Sequence, residues 1–270
     1  MTRWTTGVCE ANGITMHYLR TGGAKPPLVL LHGLMASGAC WSPLARSLEA
    51  DYDVVMPDAR GHGKSSAPPQ RYRYEDHASD VIELIRGLGL SAPILLGHSM
   101  GGMTAAVVAS QVPGMIRGVI LADPTFLSPQ RQREVRDSDI AERHRRVLSL
   151  GKRDALAQAR LRHTGRSSEI VELLADASQQ TRMSAFDVLT PPNPEYRQLV
   201  STIDVPILLV IGDKPVVSLE TARELPGLNS RVRVEQIQDA GHGVPYDQPE
   251  RFGSVVRSFL RSVAASPPSV

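Results

Sequence analysis

Short, wholly apolar runs recur along the chain at positions 28–31, 54–56, 94–96, 119–121 and 207–211. An unbroken apolar run of this length suits a strand buried on both faces, which requires helices to cover those faces. Helical spacing appears between the runs. Ala78, Val81, Ile82, Ile85 and Leu88 recur at three and four residues, with Gly89 placed to stop the helix. A small-residue helix is expected over 103–110, a last strand over 232–237 and a closing helix over 248–263. Near the start, Asn12-Gly13 stands between two alternating segments and predicts a hairpin across residues 3–20. Alternating strands and helices of this kind predict an α/β fold with a mainly parallel, doubly wound sheet.

The pattern changes between Pro124 and about Arg197. Strand-like runs vanish, and helical segments are expected at 139–150, 154–163 and 168–181. A strand-free stretch between two sheet strands reads as a helical lid over the strand ends, where ligands bind in open α/β sheets. The predicted organisation is therefore a core of residues 1–123 and 198–270 with a lid at 124–197. Thr190-Pro191-Pro192-Asn193-Pro194 reads as the return linker, and residues 264–269 as a frayed tail.

Composition narrows the function classes. The 270 residues carry a net charge of +2, and no long basic run follows Arg143-His144-Arg145-Arg146, so nucleic acid is not an expected partner. Cys9 and Cys40 are the only cysteines and lie in no ligand spacing, so neither a disulfide scaffold nor a metal site is expected. There is no signal-like apolar run at the N-terminus and no stretch able to span a membrane, which predicts a soluble, cytoplasmic protein. Gly63-Lys64-Ser65 resembles the end of a phosphate-binding loop, but Asp58 stands where that motif needs glycine. No cofactor is expected. Oligomeric state is not legible.

The chemistry-bearing stretch is Ile94-Leu95-Leu96-Gly97-His98-Ser99-Met100-Gly101-Gly102. A strand running into Gly-x-Ser-x-Gly and out into a helix holds the serine at the apex of a sharp turn with its hydroxyl exposed. A free serine hydroxyl is a poor nucleophile, so the turn calls for a base and an oxyanion site nearby. His242 is the candidate base, in the Gly-flanked loop between the last strand and the closing helix. His17, His144 and His163, in the hairpin or the lid, are expected to be solvated. His32 and His98 are expected to support backbone. Trp41 is a candidate pocket wall or core residue. Asp58 and Arg60 are expected to fix their turn by hydrogen bonds. Arg136, Arg145, Arg146, Arg160 and Arg162 could grip a carboxylate, but their alternation with acids reads as solvated faces.

Together, Leu30-Leu31-His32-Gly33-Leu34, Asp58-Ala59-Arg60-Gly61-His62-Gly63-Lys64-Ser65, the Gly97–Gly101 turn and Asp239-Ala240-Gly241-His242-Gly243 resemble the motifs of the α/β-hydrolase fold family, in family order. The resemblance implies an eight-stranded sheet, Ser99 as nucleophile, His242 as base, and an oxyanion hole from the backbone N–H groups of Leu34 and Met100. The acid departs from the common pattern. The segment after the seventh strand reads Gly212-Asp213-Lys214-Pro215-Val216, one residue short, and Asp213 matches the family's usually non-catalytic position. Asp123, ending the sixth strand, resembles the acid of N-formylmaleamate deformylases and zearalenone-type lactonases. Asp123 is assigned the role, with Asp213 as the alternative. Asp239 and Asp247 read as loop and helix-start residues. The implied activity is a serine hydrolase acting on a small-molecule ester, lactone or amide. A formyl-amide or C–C bond hydrolase is the near alternative, and a cofactor-independent oxygenase or a binding protein on the same scaffold is the distant one.

Overall fold

The computed structural model describes residues 4–265. Eight strands form one sheet: β1 (Thr5–Ala11), β2 (Ile14–Arg20), β3 (Pro27–Leu31), β4 (Asp53–Pro57), β5 (Ile94–His98), β6 (Gly118–Ala122), β7 (Ile207–Ile211) and β8 (Val232–Gln236). Their spatial order is β1-β2-β4-β3-β5-β6-β7-β8. The β1–β2 hairpin and the β2–β4 pair are antiparallel, and every later pair is parallel. Asn12 and Gly13 both take positive φ, 49° and 78°, as the two-residue turn of a twisted hairpin requires.

Eleven α-helices occur among the described residues: α1 (Ser42–Leu48), α2 (Tyr74–Gly87), α3 (Met100–Gln111), α4 (Pro129–Arg136), α5 (Ile140–Leu148), α6 (Lys152–Arg162), α7 (Ser168–Gln180), α8 (Tyr196–Thr202), α9 (Leu219–Leu228), α10 (Val244–Asp247) and α11 (Pro249–Ala265). Side chains alternate across the buried strands, so the sheet serves two cores. Val29, Leu31, Leu95, Leu121 and Leu209 face α2, α3, α8 and α9. Leu28, Leu30, Leu96, Ile120 and Leu208 face the opposite way, against α1 and the α11 residues Phe252, Val256, Phe259 and Leu260. Each such fully buried side chain contributes roughly 1.5–3 kcal/mol of apolar transfer free energy.

Helix α2 stops as its glycine predicts. Gly89 takes φ +59°, its N–H reaches the Arg86 carbonyl, and the Leu90 N–H reaches that of Ile85. Two expectations need correction, and α4 is a helix that the apolar spacing does not announce. Helix α3 begins at Met100 rather than 103, because the turn at Ser99 feeds straight into it. Helix α4 lies in a stretch with almost no apolar periodicity. It is started instead by the Ser128 side chain, which accepts the Arg131 N–H, and by Pro129. Helix α11 runs through Ala265, so residues 264–265 are helical rather than tail; the remainder of the expected tail lies outside the described residues. No helix among the described residues is long and apolar enough to cross a membrane.

Candidate active site

Strand β5 delivers Ser99 in a conformation that few side-chain-bearing residues adopt, φ 54° and ψ −116°. Close packing explains the flanking glycines. A Cβ on Gly97 would lie 2.0 Å from the Gly101 carbonyl oxygen, and one on Gly101 would lie 2.3 Å from that of Leu31. The Ser99 N–H is tied to the Ala122 carbonyl (3.0 Å), while its own carbonyl accepts the N–H groups of Gly102 and Met103. Helix α3 therefore starts at the serine, with the unpaired N–H groups and positive end of its first turn beside the hydroxyl.

His242 lies between two partners. Its Nε2 is 2.9 Å from the Ser99 Oγ, and its Nδ1 is 2.6 Å from the Asp123 Oδ2. Asp123 is fully buried and also accepts the N–H groups of Val216 (2.8 Å) and Val217 (2.9 Å). An ionised carboxylate only accepts, so His242 donates from Nδ1, which leaves Nε2 to accept the serine proton. Asp123 itself takes a positive φ of 42°. The short segment after β7 thus contributes backbone donors to an acid from β6. Asp213 does not meet His242: its carboxylate accepts the Asp239 N–H at 2.5 Å and braces the start of the histidine loop.

Further bonds fix that loop. The Ala240 carbonyl accepts the Asp213 N–H (2.7 Å). Asp247 accepts the Gly241 N–H (3.0 Å) and pairs with Arg166 from the segment between α6 and α7 (2.8 Å). His98 donates from Nε2 to the carbonyl of His242 (2.8 Å). Burial, with His242 close by, pushes the His98 imidazole down to about 3, so it stays neutral at ordinary pH. The sequence names His98 and Asp247 without showing either partner, because each contact joins residues remote in the chain.

The loop carrying Leu34 is framed from the Asp58–Ser65 stretch. The Ala59 N–H donates to His32 Nε2 (2.9 Å), whose Nδ1 then donates to the Gly33 carbonyl (2.8 Å). The Met35 N–H donates to His62 Nε2 (3.3 Å), and His62 Nδ1 donates to the Arg60 carbonyl (2.9 Å). Both rings are fully buried and lowered chiefly for that reason, His62 to about 3. Asp58 accepts from the Gly38 N–H, the Lys64 N–H and His17. Burial would raise its carboxyl, but these bonds hold it below the usual value. Arg60 pairs with Asp80 where both are buried. Leu34 and Met100 line the same cavity as Ser99 and His242.

Two histidines expected to be solvated are not. The His17 side chain is 11% exposed and bonded to Asp58, a partner 41 residues away. His144 is buried and its Nε2 meets the Thr181 carbonyl (3.0 Å). His163 is half-buried on the cavity wall. Trp41 belongs to the core with Phe252 and does not reach this cavity. Of the five arginines weighed as carboxylate grips, only Arg162 lines it. Arg145 and Arg160 pair with Glu142 and Glu172, and Arg136 and Arg146 are exposed.

The cavity measures about 600 Å³ and is roofed by helices of the segment between β6 and β7. No cluster of three or more His, Cys, Asp or Glu residues suited to a metal ion occurs among the described residues.

Residues 26–249 match the family model described as alpha/beta hydrolase fold. The chain is 28% identical over 259 residues to an N-formylmaleamate deformylase of Pseudomonas putida, covering 94% of this chain and 96% of that one. In fold it superposes on an E-2-(acetamidomethylene)succinate hydrolase with a TM-score of 0.84, at 21% identity, over 96% of this chain and 100% of the other. An esterase from a Rhodococcus species matches with a TM-score of 0.78 at 26% identity, over 97% of this chain and all of that one.

Proposed function

We infer that this chain, which belongs to the α/β-hydrolase fold family and is a hydrolase of that family, cleaves a small-molecule ester, lactone or amide through Ser99, His242 and Asp123. The observation carrying this reading is the bridging imidazole, 2.9 Å from the Ser99 hydroxyl on one side and 2.6 Å from a buried carboxylate on the other. His242 takes the Ser99 proton as Oγ attacks the carbonyl carbon, and the backbone N–H groups of Leu34 and Met100 hold the resulting oxyanion. The tetrahedral intermediate collapses, the leaving group departs with the proton from His242, and an acyl-serine remains. Water, deprotonated by His242, then attacks that ester; as the bond from the acyl carbon to Oγ breaks, His242 returns the proton to Ser99 and the acid is released. Asp123 keeps the imidazole in the tautomer that each step needs.

Residues 124–197 act in this reading as a lid that shapes the cavity above Ser99. The deformylase relative supports a second reading, hydrolysis of a formyl amide by the same three groups. Incubation with a fluorophosphonate probe, followed by p-nitrophenyl acetate turnover, tests the proposal. Label on Ser99 with turnover is expected, both lost in Ser99→Ala. Folded protein that takes no label would overturn it.

A further inference from the structure

Two guanidinium groups on the lining of the cavity over Ser99 carry more donors than the protein uses. Arg166 donates from Nε to the Asp247 Oδ1 (2.8 Å) and lies over the Tyr246 ring, 5.4 Å from its centroid. The other Asp247 oxygen accepts the Gly241 N–H, so both oxygens of that carboxylate are occupied. Neither Nη of Arg166 has an acceptor among the described residues, and neither is sealed from water, although the side chain is only 16% exposed. Their position is fixed by Gly243, where a Cβ would lie 2.2 Å from Nη2. The free end of the guanidinium thus rests against the residue that follows His242.

Helix α6 turns one face to the same cavity through Ala155, Gln158, Ala159 and Arg162, spaced three and four apart. Arg162 ends that face, exposed and without an ionic partner among the described residues, whereas Arg160 pairs with Glu172. Both cavity arginines act on one neighbour. His163 is pushed down to about 4 by burial, then by Arg166 and Arg162, so it brings no charge at neutral pH. Asp247 is the only acid on the lining; Asp123 lies behind His242 with its oxygens taken. One positive charge on the lining is left without a counterpart.

A tie between the inserted segment and the histidine loop needs only the Nε bond. The idle Nη pair is a fork of the shape that a carboxylate accepts, and it is largely withdrawn from the water that would otherwise solvate it. Asp247 and Tyr246 hold the fork in place beforehand, so little side-chain freedom is lost when an anion docks. A single uncompensated charge suits a monoanion better than a doubly charged phosphate.

We propose that the substrate is an ester, lactone or amide that also bears one carboxylate, and that the Nη pair of Arg166, with Arg162 nearby, holds that group beside the histidine loop. The inference rests on Ser99 being the nucleophile and names the substrate class for that site. Binding energy from the anchored carboxylate, which does not react, aligns the carbonyl that does.

The test measures how fast a neutral fluorophosphonate modifies Ser99, read by intact mass at constant ionic strength, while a second ligand competes. Succinamate, glutaramate and adipamate, each with one carboxylate and one amide, are compared with the corresponding diamides, which match them in shape and carry no charge. The most effective amic acid is expected to halve the labelling rate at a concentration at least about tenfold below that of its diamide, a modest demand of a charge-assisted bidentate contact. Arg166→Lys keeps the charge but loses the fork, and Arg162→Gln loses the charge. Each variant, checked for a native melting profile, should cut that preference to about threefold or less. The assignment is overturned if the diamides protect as well as the amic acids, or if the preference survives either substitution. Folded wild-type protein that takes no label at Ser99 instead removes the nucleophile reading, and this inference with it.

Discussion

The side chain of His98 and the main chain of His242 are joined by a 2.8 Å hydrogen bond, so the neighbour of the proposed nucleophile holds the backbone of the proposed base. The distance from Ser99 Oγ to His242 Nε2 thus depends on a contact that the reacting atoms do not make themselves. Loss of this tether lets the histidine loop drift, and a displacement near 1 Å can cost about a hundredfold in rate. His98→Leu is expected to lower kcat by about 10- to 100-fold with KM nearly unchanged. His98→Gln, which keeps a donor, should recover part of the loss. Steady-state kinetics on both variants decides; an unchanged kcat in the leucine variant would show that the loop is held elsewhere.

The two candidate acids separate by experiment. Asp123→Asn keeps the shape but cannot hold His242 in the required tautomer, and a fall of about 10³- to 10⁴-fold in kcat is expected. Asp213→Asn disturbs the bonds to the Asp239 N–H and the Gln236 side chain, neither of which reaches His242, and a change below about tenfold is expected. Equal losses in both variants would mean that the shortened segment after β7 does more than supply backbone donors.

Buried histidines set the acid limit of stability. His62 and His98 are each pushed down to about 3, and His32 and His77 are also lowered, all chiefly by burial. An unfolded imidazole titrates near 6.5, so below that pH the unfolded chain binds protons that the folded chain refuses. The contribution of these residues is complete above about pH 6.5 and drains away as pH falls toward 3. Melting temperature should be level from pH 8 to 7 and decline steadily below 6. The slope of unfolding free energy should exceed the roughly 1.4 kcal/mol per pH unit of a single group. Denaturant titrations across pH 4–8 measure it, and a level curve down to pH 4.5 would contradict the burial assigned to these rings.

Arg166 and Asp247 couple the inserted segment to the histidine loop. Asp247→Ala removes the ion pair and also leaves the Gly241 N–H without its acceptor, so it should destabilise more than Arg166→Ala. The double variant should resemble Asp247→Ala alone, with a coupling energy of about 1 kcal/mol in a denaturant-based cycle. Strict additivity would show that the pair contributes nothing.

The sheet was legible because strand segments buried on both faces, such as 94–96 and 207–211, are built from unbroken apolar runs. The Gly-Ser-Gly turn was legible because its geometry tolerates so few sequences. Helix α4 was not, since Pro129-Gln130-Arg131-Gln132-Arg133 shows almost no apolar periodicity; its signal is the Ser128-Pro129 start. The burial of His17 and His144 depends on Asp58 and Thr181, partners that no local pattern announces. The missing residue after Gly212-Asp213 could be read directly. That the backbone N–H groups of Val216 and Val217 turn toward Asp123 is a property of three-dimensional chain path.

Ser99, Asp123 and His242 come from chain segments that follow β5, β6 and β8, whereas much of the cavity lining above them comes from the stretch joining β6 to β7. In the proposed reading, reactivity and much of the selectivity are thereby written in separable passages of sequence. A lineage can retailor what enters by rewriting that stretch while leaving the bond-cutting apparatus untouched. The Arg166–Asp247 contact is the seam that any transplanted roof would have to match.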